Sequence, residues 1–119
     1  MATMMSTHKQ FLPAAQALAL QTLIQPTEQG IASRVLARAG GGNLTLFAFD
    51  AGQGLTEHTS PFDALVMVLE GELTLTIGGV AVQATPGTIV QMPANVPHAL
   101  EAPAAARMLL LMLRDGKEA

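Results

Sequence analysis

The residues of this chain that can do chemistry are few, and most fall in two short stretches. His58 follows Glu57 and precedes the run Ser60-Pro61-Phe62-Asp63, and His98 comes forty residues later with Glu101 close behind. An imidazole can ligate a metal, take a proton or anchor a polar ligand. Paired with a carboxylate such as Asp63 or Glu57, His58 would be a general base for proton abstraction. His8, the third histidine, lies near the N-terminus, apart from both stretches. Cysteine is absent, which excludes disulfides, thiolate metal sites and cysteine nucleophiles.

The remaining composition narrows the partners. Half of the 119 residues are hydrophobic and only 13% are charged, against about a quarter charged in an average domain. Such a chain is not disordered, and its length suits one domain. A net charge of −3 offers no basic face to a phosphate backbone, and Trp and Tyr are both missing. Nucleic-acid binding is therefore not expected. No apolar stretch reaches the roughly 18 residues of a membrane span. Lys9 and the apolar run after it resemble a secretion signal only faintly, because Pro13 and Gln16 interrupt it. Residues 13–24 read instead as a short helix, with Leu18, Leu20, Leu23 and Ile24 among Ala and Gln. Residues 1–12 read as a flexible tail and 13–119 as the domain. A cytoplasmic location is expected, in keeping with the lack of cysteine.

From Gly30 onward, short apolar runs alternate with Gly, Pro and Asn clusters, the grammar of an all-β domain. Strands are expected at Ile31–Arg38, Leu44–Phe49, Leu55–His58, Ala64–Leu69, Glu72–Ile77, Val80–Ala84, Thr88–Met92, His98–Glu101 and Arg107–Leu113. Gly78-Gly79 is a two-residue hairpin signal. Glu72–Ile77 alternates cleanly, so one of its faces is wet. Glycines at this spacing favour a barrel or sandwich over a β-α-β fold.

Two stretches carry a family resemblance. In the first, Gly52 is followed after five residues by His58, then at fixed steps by Ser60, Ala64 and Gly71. In the second, Gly87 is followed by Pro93, Asn95, His98 and Ala102. Both registers, and the short Glu72–Pro86 linker between them, resemble the paired motifs of the RmlC-like cupins. The resemblance implies a double-stranded β-helix, or jelly-roll, barrel with the short N-terminal helix appended, often dimeric. In metal-binding cupins two His and a Glu of the first motif converge with one His of the second. Here His58 and His98 stand at two of these positions. Ser60 replaces the other His and Ala64 the Glu; Asn95 stands for a Gly and Ala102 for an Asn.

The resemblance implies that His58 and His98 point into the barrel with nitrogens roughly 3–4 Å apart, within reach of one metal or water. Two imidazoles are short of the three or four donors a zinc or iron site takes. Asp63 is the nearest third ligand, but strand alternation turns it away unless the chain bulges near Pro61-Phe62. Glu57 and Glu101 meet the same objection. Ser60, Ala64 and Gln91 are expected to line the pocket, Ser60 also capping the turn before Pro61. Asn95 suits a backbone angle usually left to Gly. Phe62, Met67, Met92, Met108 and Met112 read as core.

Three functions follow as expectations. One is a metal-dependent small-molecule enzyme, oxygenase-like, with one weakly held divalent ion (Fe, Mn, Ni or Zn) on His58 and His98. Another is a metal-free small-molecule-binding module. The last is a His-based isomerase or epimerase. Ala64–Leu69 and Arg107–Leu113 are apolar on both faces, which a one-layer wall with a wet side should not be. A short N-terminal helix covers one such patch, so a homodimer is expected to cover the other.

Overall fold

The computed structural model describes residues 11–114, so His8 and residues 1–10 of the expected tail lie outside the described residues. Nine strands follow one another: β1 (Ile31–Ala39), β2 (Gly42–Phe49), β3 (Gly54–His58), β4 (Asp63–Glu70), β5 (Leu73–Ile77), β6 (Val80–Ala84), β7 (Ile89–Met92), β8 (His98–Glu101) and β9 (Ala106–Leu113). They form a five-stranded sheet in the order β1-β2-β9-β4-β7 and a four-stranded sheet in the order β3-β8-β5-β6. Every pairing is antiparallel. This is the expected jelly roll, with the expected strands.

Turn chemistry explains why the strand ends were legible. Gly78 and Gly79 both take positive φ, 57° and 84°, which the tight β5–β6 hairpin requires. Gly71 has φ 73° and abuts the Ala105 carbonyl, so a side chain there would meet backbone. Asn95 holds φ 63°, a left-handed angle that Asn tolerates better than most residues.

Alternation sorts the strands into two faces. In β4, Ala64, Val66 and Val68 are buried between the sheets with Phe49, Leu73, Leu75, Leu100 and Met108. Leu65, Met67 and Leu69 lie on the opposite face, half-buried. A second core forms outside the five-stranded sheet. There Leu46, Ala48 and Leu109 pack with Leu36 and Ile24, and Leu12, Leu20, Leu23, Met67 and Leu69 close over them.

The segment that covers this outer face is not the helix expected over 13–24. It is irregular, with a turn at residues 14–15 and one 3-10 turn at Leu20–Thr22. Its N-cap, Ala19, offers no side-chain cap, and Ala15 sits at φ 60°. A helix of that length is marginal in water. Bonds to the sheet's arginines hold the segment instead. Arg34 Nη1 donates to the Leu23 carbonyl at 3.1 Å. Arg107 Nε donates to the Ile24 carbonyl at 3.2 Å and its Nη2 to Gln25 Oε1 at 3.1 Å. The same guanidinium pairs with Glu70 across β4 and β9. Glu70 is thus a structural anion beside a turn.

Arg107 therefore joins three elements. Arg107→Ala should lower unfolding stability by roughly 1–3 kcal/mol, the range for hydrogen bonds to a charged group. It should also speed hydrogen exchange at the Thr22 and Leu23 amides, which bond to Ala19 and Leu20. Urea denaturation and exchange mass spectrometry read these two effects, and unchanged exchange would rule out the clamp.

Candidate functional site

His58 ends β3 and His98 begins β8, and the two are direct cross-strand partners. An irregularity makes this possible. Leu55 pairs with Leu100, and three residues later His58 pairs with His98, only two residues back along β8. The extra residue in β3 is a bulge, and it resets the alternation. Without it, Leu55 and His58 would face opposite ways. With it, both line one cavity together with His98 and Leu100.

The cavity is small, about 80 Å³. Leu55, Leu100, Leu110, Ala64 and three methionines supply its apolar wall, and His58, His98 and Ser60 its polar end. The imidazole rings lie edge to face with centroids 4.4 Å apart. His98 is buried at 5% exposure. His58 is exposed at the mouth, a departure from the expectation that both rings turn wholly inward.

Both rings are held the same way. His58 Nδ1 lies 2.7 Å from the Thr56 carbonyl and His98 Nδ1 3.1 Å from the Val96 carbonyl. A carbonyl oxygen only accepts, so each bond requires the hydrogen on Nδ1. In the neutral ring, Nε2 then keeps a free lone pair.

The structure places the other candidates as follows. Ser60 and Ala64 are in the lining. Ser60 Oγ also accepts from the Phe62 amide at 3.1 Å, capping its turn. Gln91 is not in the lining. It pairs with Leu65 and is exposed on the outer face, and Met92 one residue on takes the inward place. Asp63 is not in the lining either. It is exposed, and its Oδ1 accepts from the Ala94 amide at 2.8 Å. The bulge that was required to turn a carboxylate inward lies in β3 and serves His58. Glu57 and Glu101 are exposed. Phe62 packs beneath the Arg114 guanidinium, 4.9 Å from its ring centre, rather than in the core. Met92 and Met108 are buried in the core as expected, with Met112 packed against it, and all three also line the cavity. Their inward faces follow from strand alternation, but their meeting with the histidines needed the strand order.

Two antiparallel sheets wrapped round an imidazole-tipped cavity define a small jelly-roll barrel protein. The family model of the cupin domain matches residues 45–113, and the chain belongs to the cupin family. A conserved protein of unknown function from Streptococcus pyogenes has a similar structure, with TM-score 0.85 and 30% identity over 92% of this chain and 98% of that one. A cupin superfamily protein from Desulfitobacterium hafniense is similar at TM-score 0.84 and 28% identity, over 92% of this chain and all of its own. A cupin 2 conserved barrel protein from Leptotrichia buccalis shares 32% identity at TM-score 0.76, over 79% of this chain and 46% of that one. No functionally curated protein matches.

The cupin motifs imply a metal, and the donors present decide whether one fits. Among the described residues no group of three or more His, Cys, Asp or Glu comes together. The cavity holds two imidazoles, one hydroxyl and no carboxylate. That set does not fit a resident hard divalent ion, which takes oxygen donors or a third nitrogen.

Asp63 thus ties β4 to the loop after β7. Asp63→Ala should cost about 1 kcal/mol, the net worth of one hydrogen bond. Asp63→Asn, which keeps an acceptor oxygen, should cost less. Chemical denaturation of the pair tests this, and equal losses would show that the bond contributes nothing.

Proposed function

We propose that this protein is a small-molecule-binding cupin. Its cavity takes a small, largely apolar ligand whose hydrogen-bond donor meets Nε2 of His58 and His98. The supporting observation is that both Nδ1 atoms are engaged by carbonyls of their own segments, leaving two acceptors at the polar end of an apolar cavity. Apolar walls with a few convergent polar atoms are the usual make-up of ligand sites. At about 80 Å³ the cavity is well below the roughly 300–1,000 Å³ of drug-sized sites. A divalent-metal, oxygenase-like centre is less well supported, because the oxygen donors are missing. An isomerase is less well supported because the carboxylate partner of the base, Asp63, bonds to Ala94 instead. Among the described residues no helix is long and apolar enough to cross a membrane, and we place the cysteine-free chain in the cytoplasm.

Paired probes of equal size test the site. 2-Butanol carries a hydroxyl donor and 2-butanone does not. At mildly alkaline pH, 2-butanol should shift the His58 and His98 imidazole resonances and bind roughly tenfold tighter, because the ketone leaves the acceptors unpaired. His98→Ala should abolish the preference. Equal affinities in the wild type would overturn this function.

We also propose a homodimer. On the outer face Leu65 and Leu111 are cross-strand partners that belong to neither core. Beside them Leu113 is 44% and Ile89 58% exposed. Among the described residues, the N-terminal leucines pack in the second core, which does not include this band, and contiguous apolar patches on a monomer mark interfaces. Light scattering should give a dimer for the wild type at micromolar concentration and a monomer or aggregate for Leu111→Glu. A monomeric wild type would sink the assembly.

A further inference from the structure

The cavity's two walls differ in chemistry. The four-stranded sheet contributes the nitrogen donors, His58 from β3 and His98 from β8. The five-stranded sheet contributes Met92 from β7, Met108 and Met112 from β9, and Ala64 from β4. Three of the chain's seven methionines thus line one small cavity. Ala64 is the cross-strand partner of both Met92 and Met112. Directly opposed residues in antiparallel strands have Cβ atoms about 5 Å apart. The position where cupin metal sites carry a carboxylate is therefore a small residue flanked on both sides by thioethers.

This exchange changes what the site selects. Removing the oxygen donors works against hard or borderline divalent ions, whereas thioethers with imidazole suit soft Cu(I). Charge points the same way. No lining residue is charged at neutral pH apart from any protonated imidazole, so a bound cation keeps its full charge in an apolar surround. The cost of burying that charge grows with its square, which favours a monovalent over a divalent ion. Both rings are pre-set as ligands, because metal-bound histidines commonly donate their other nitrogen to a carbonyl. Methionine's flexible side chain lets sulfur swing toward an ion without moving the strands.

We infer that this cavity is a Cu(I) site, with Nε2 of His58 and His98 on one side and the thioethers of Met92 and Met112 on the other, Met108 packing behind. The inference rests on the proposed role of the two histidines as the binding end of the cavity, and it names the ligand class.

The test is anaerobic titration of the full chain with Cu(I) against a competing chelator, with Zn(II) as comparison. The chain has no cysteine, so thiolates cannot account for copper taken up. One Cu(I) per chain should bind, much more tightly than Zn(II), and X-ray absorption should show sulfur beside nitrogen around the copper. Met92→Leu with Met112→Leu conserves volume. The double variant should lose affinity by roughly tenfold or more, at least as much as loss of an outer-shell partner costs. Unchanged Cu(I) affinity in this variant, or a wild-type copper shell without sulfur, would overturn the site while leaving the histidine pocket standing. Should the double variant not fold, the wild-type sulfur shell alone decides. Copper held equally by His58→Ala and His98→Ala would also overturn it, and would point to Met4, Met5 and His8. Loss of the 2-butanol preference in the wild type, with sulfur-bound copper present, would instead overturn the small-molecule reading alone.

Discussion

One extra residue in β3 decides whether the two imidazoles of this barrel meet. Strand alternation puts neighbours on opposite faces, and between Leu55 and His58 that rule would carry the imidazole outward. The bulge absorbs one residue and returns His58 to the face of Leu55, opposite His98. The rest of the cavity depends on this. His98 reaches it by ordinary alternation with Leu100, and the methionines by ordinary alternation in β7 and β9. A regular β3 would leave His98 beside an apolar wall without its partner. Bulges are over-represented next to functional sites for this reason, since they re-aim a single side chain.

The five-stranded sheet carries a second burden. It is apolar on both faces, so it needs cover outside as well as inside. The inner cover is the opposite sheet. Part of the outer cover is the N-terminal segment, whose irregular path follows what it touches. Its leucines need the sheet surface, and its carbonyls need the arginines that project from that surface. A free helix would satisfy its own backbone but would not be held by Arg34 and Arg107. Tertiary contacts thus override a weak local helical preference.

Family membership and site chemistry diverge in this chain. The cupin frame is kept in its glycines, prolines and strand order, because those residues set turns and close approaches on which the barrel depends. The donor set inside the frame is altered, with two imidazoles kept and the oxygen ligand replaced by a small residue among thioethers. Fold and function separate along that line. Half of the site's character comes from residues that any reading by residue type assigns to packing.

The sequence by itself determined the strands, the hairpin at Gly78-Gly79, the left-handed Asn95, the inward face of β4 and the matched motif positions of His58 and His98. All of these are local or motif-level properties, fixed by dihedral preference, by period-two alternation or by spacing. Only the tertiary structure decided the bulge in β3, the outward bond of Asp63 to Ala94, the exclusion of Gln91 and the irregular path of residues 13–24. It alone set Met92 and Met112 on either side of Ala64. Each of these depends on which strand lies beside which, a pairing made between residues far apart in the chain. A periodic pattern names two faces, but the ladder chooses what each face meets.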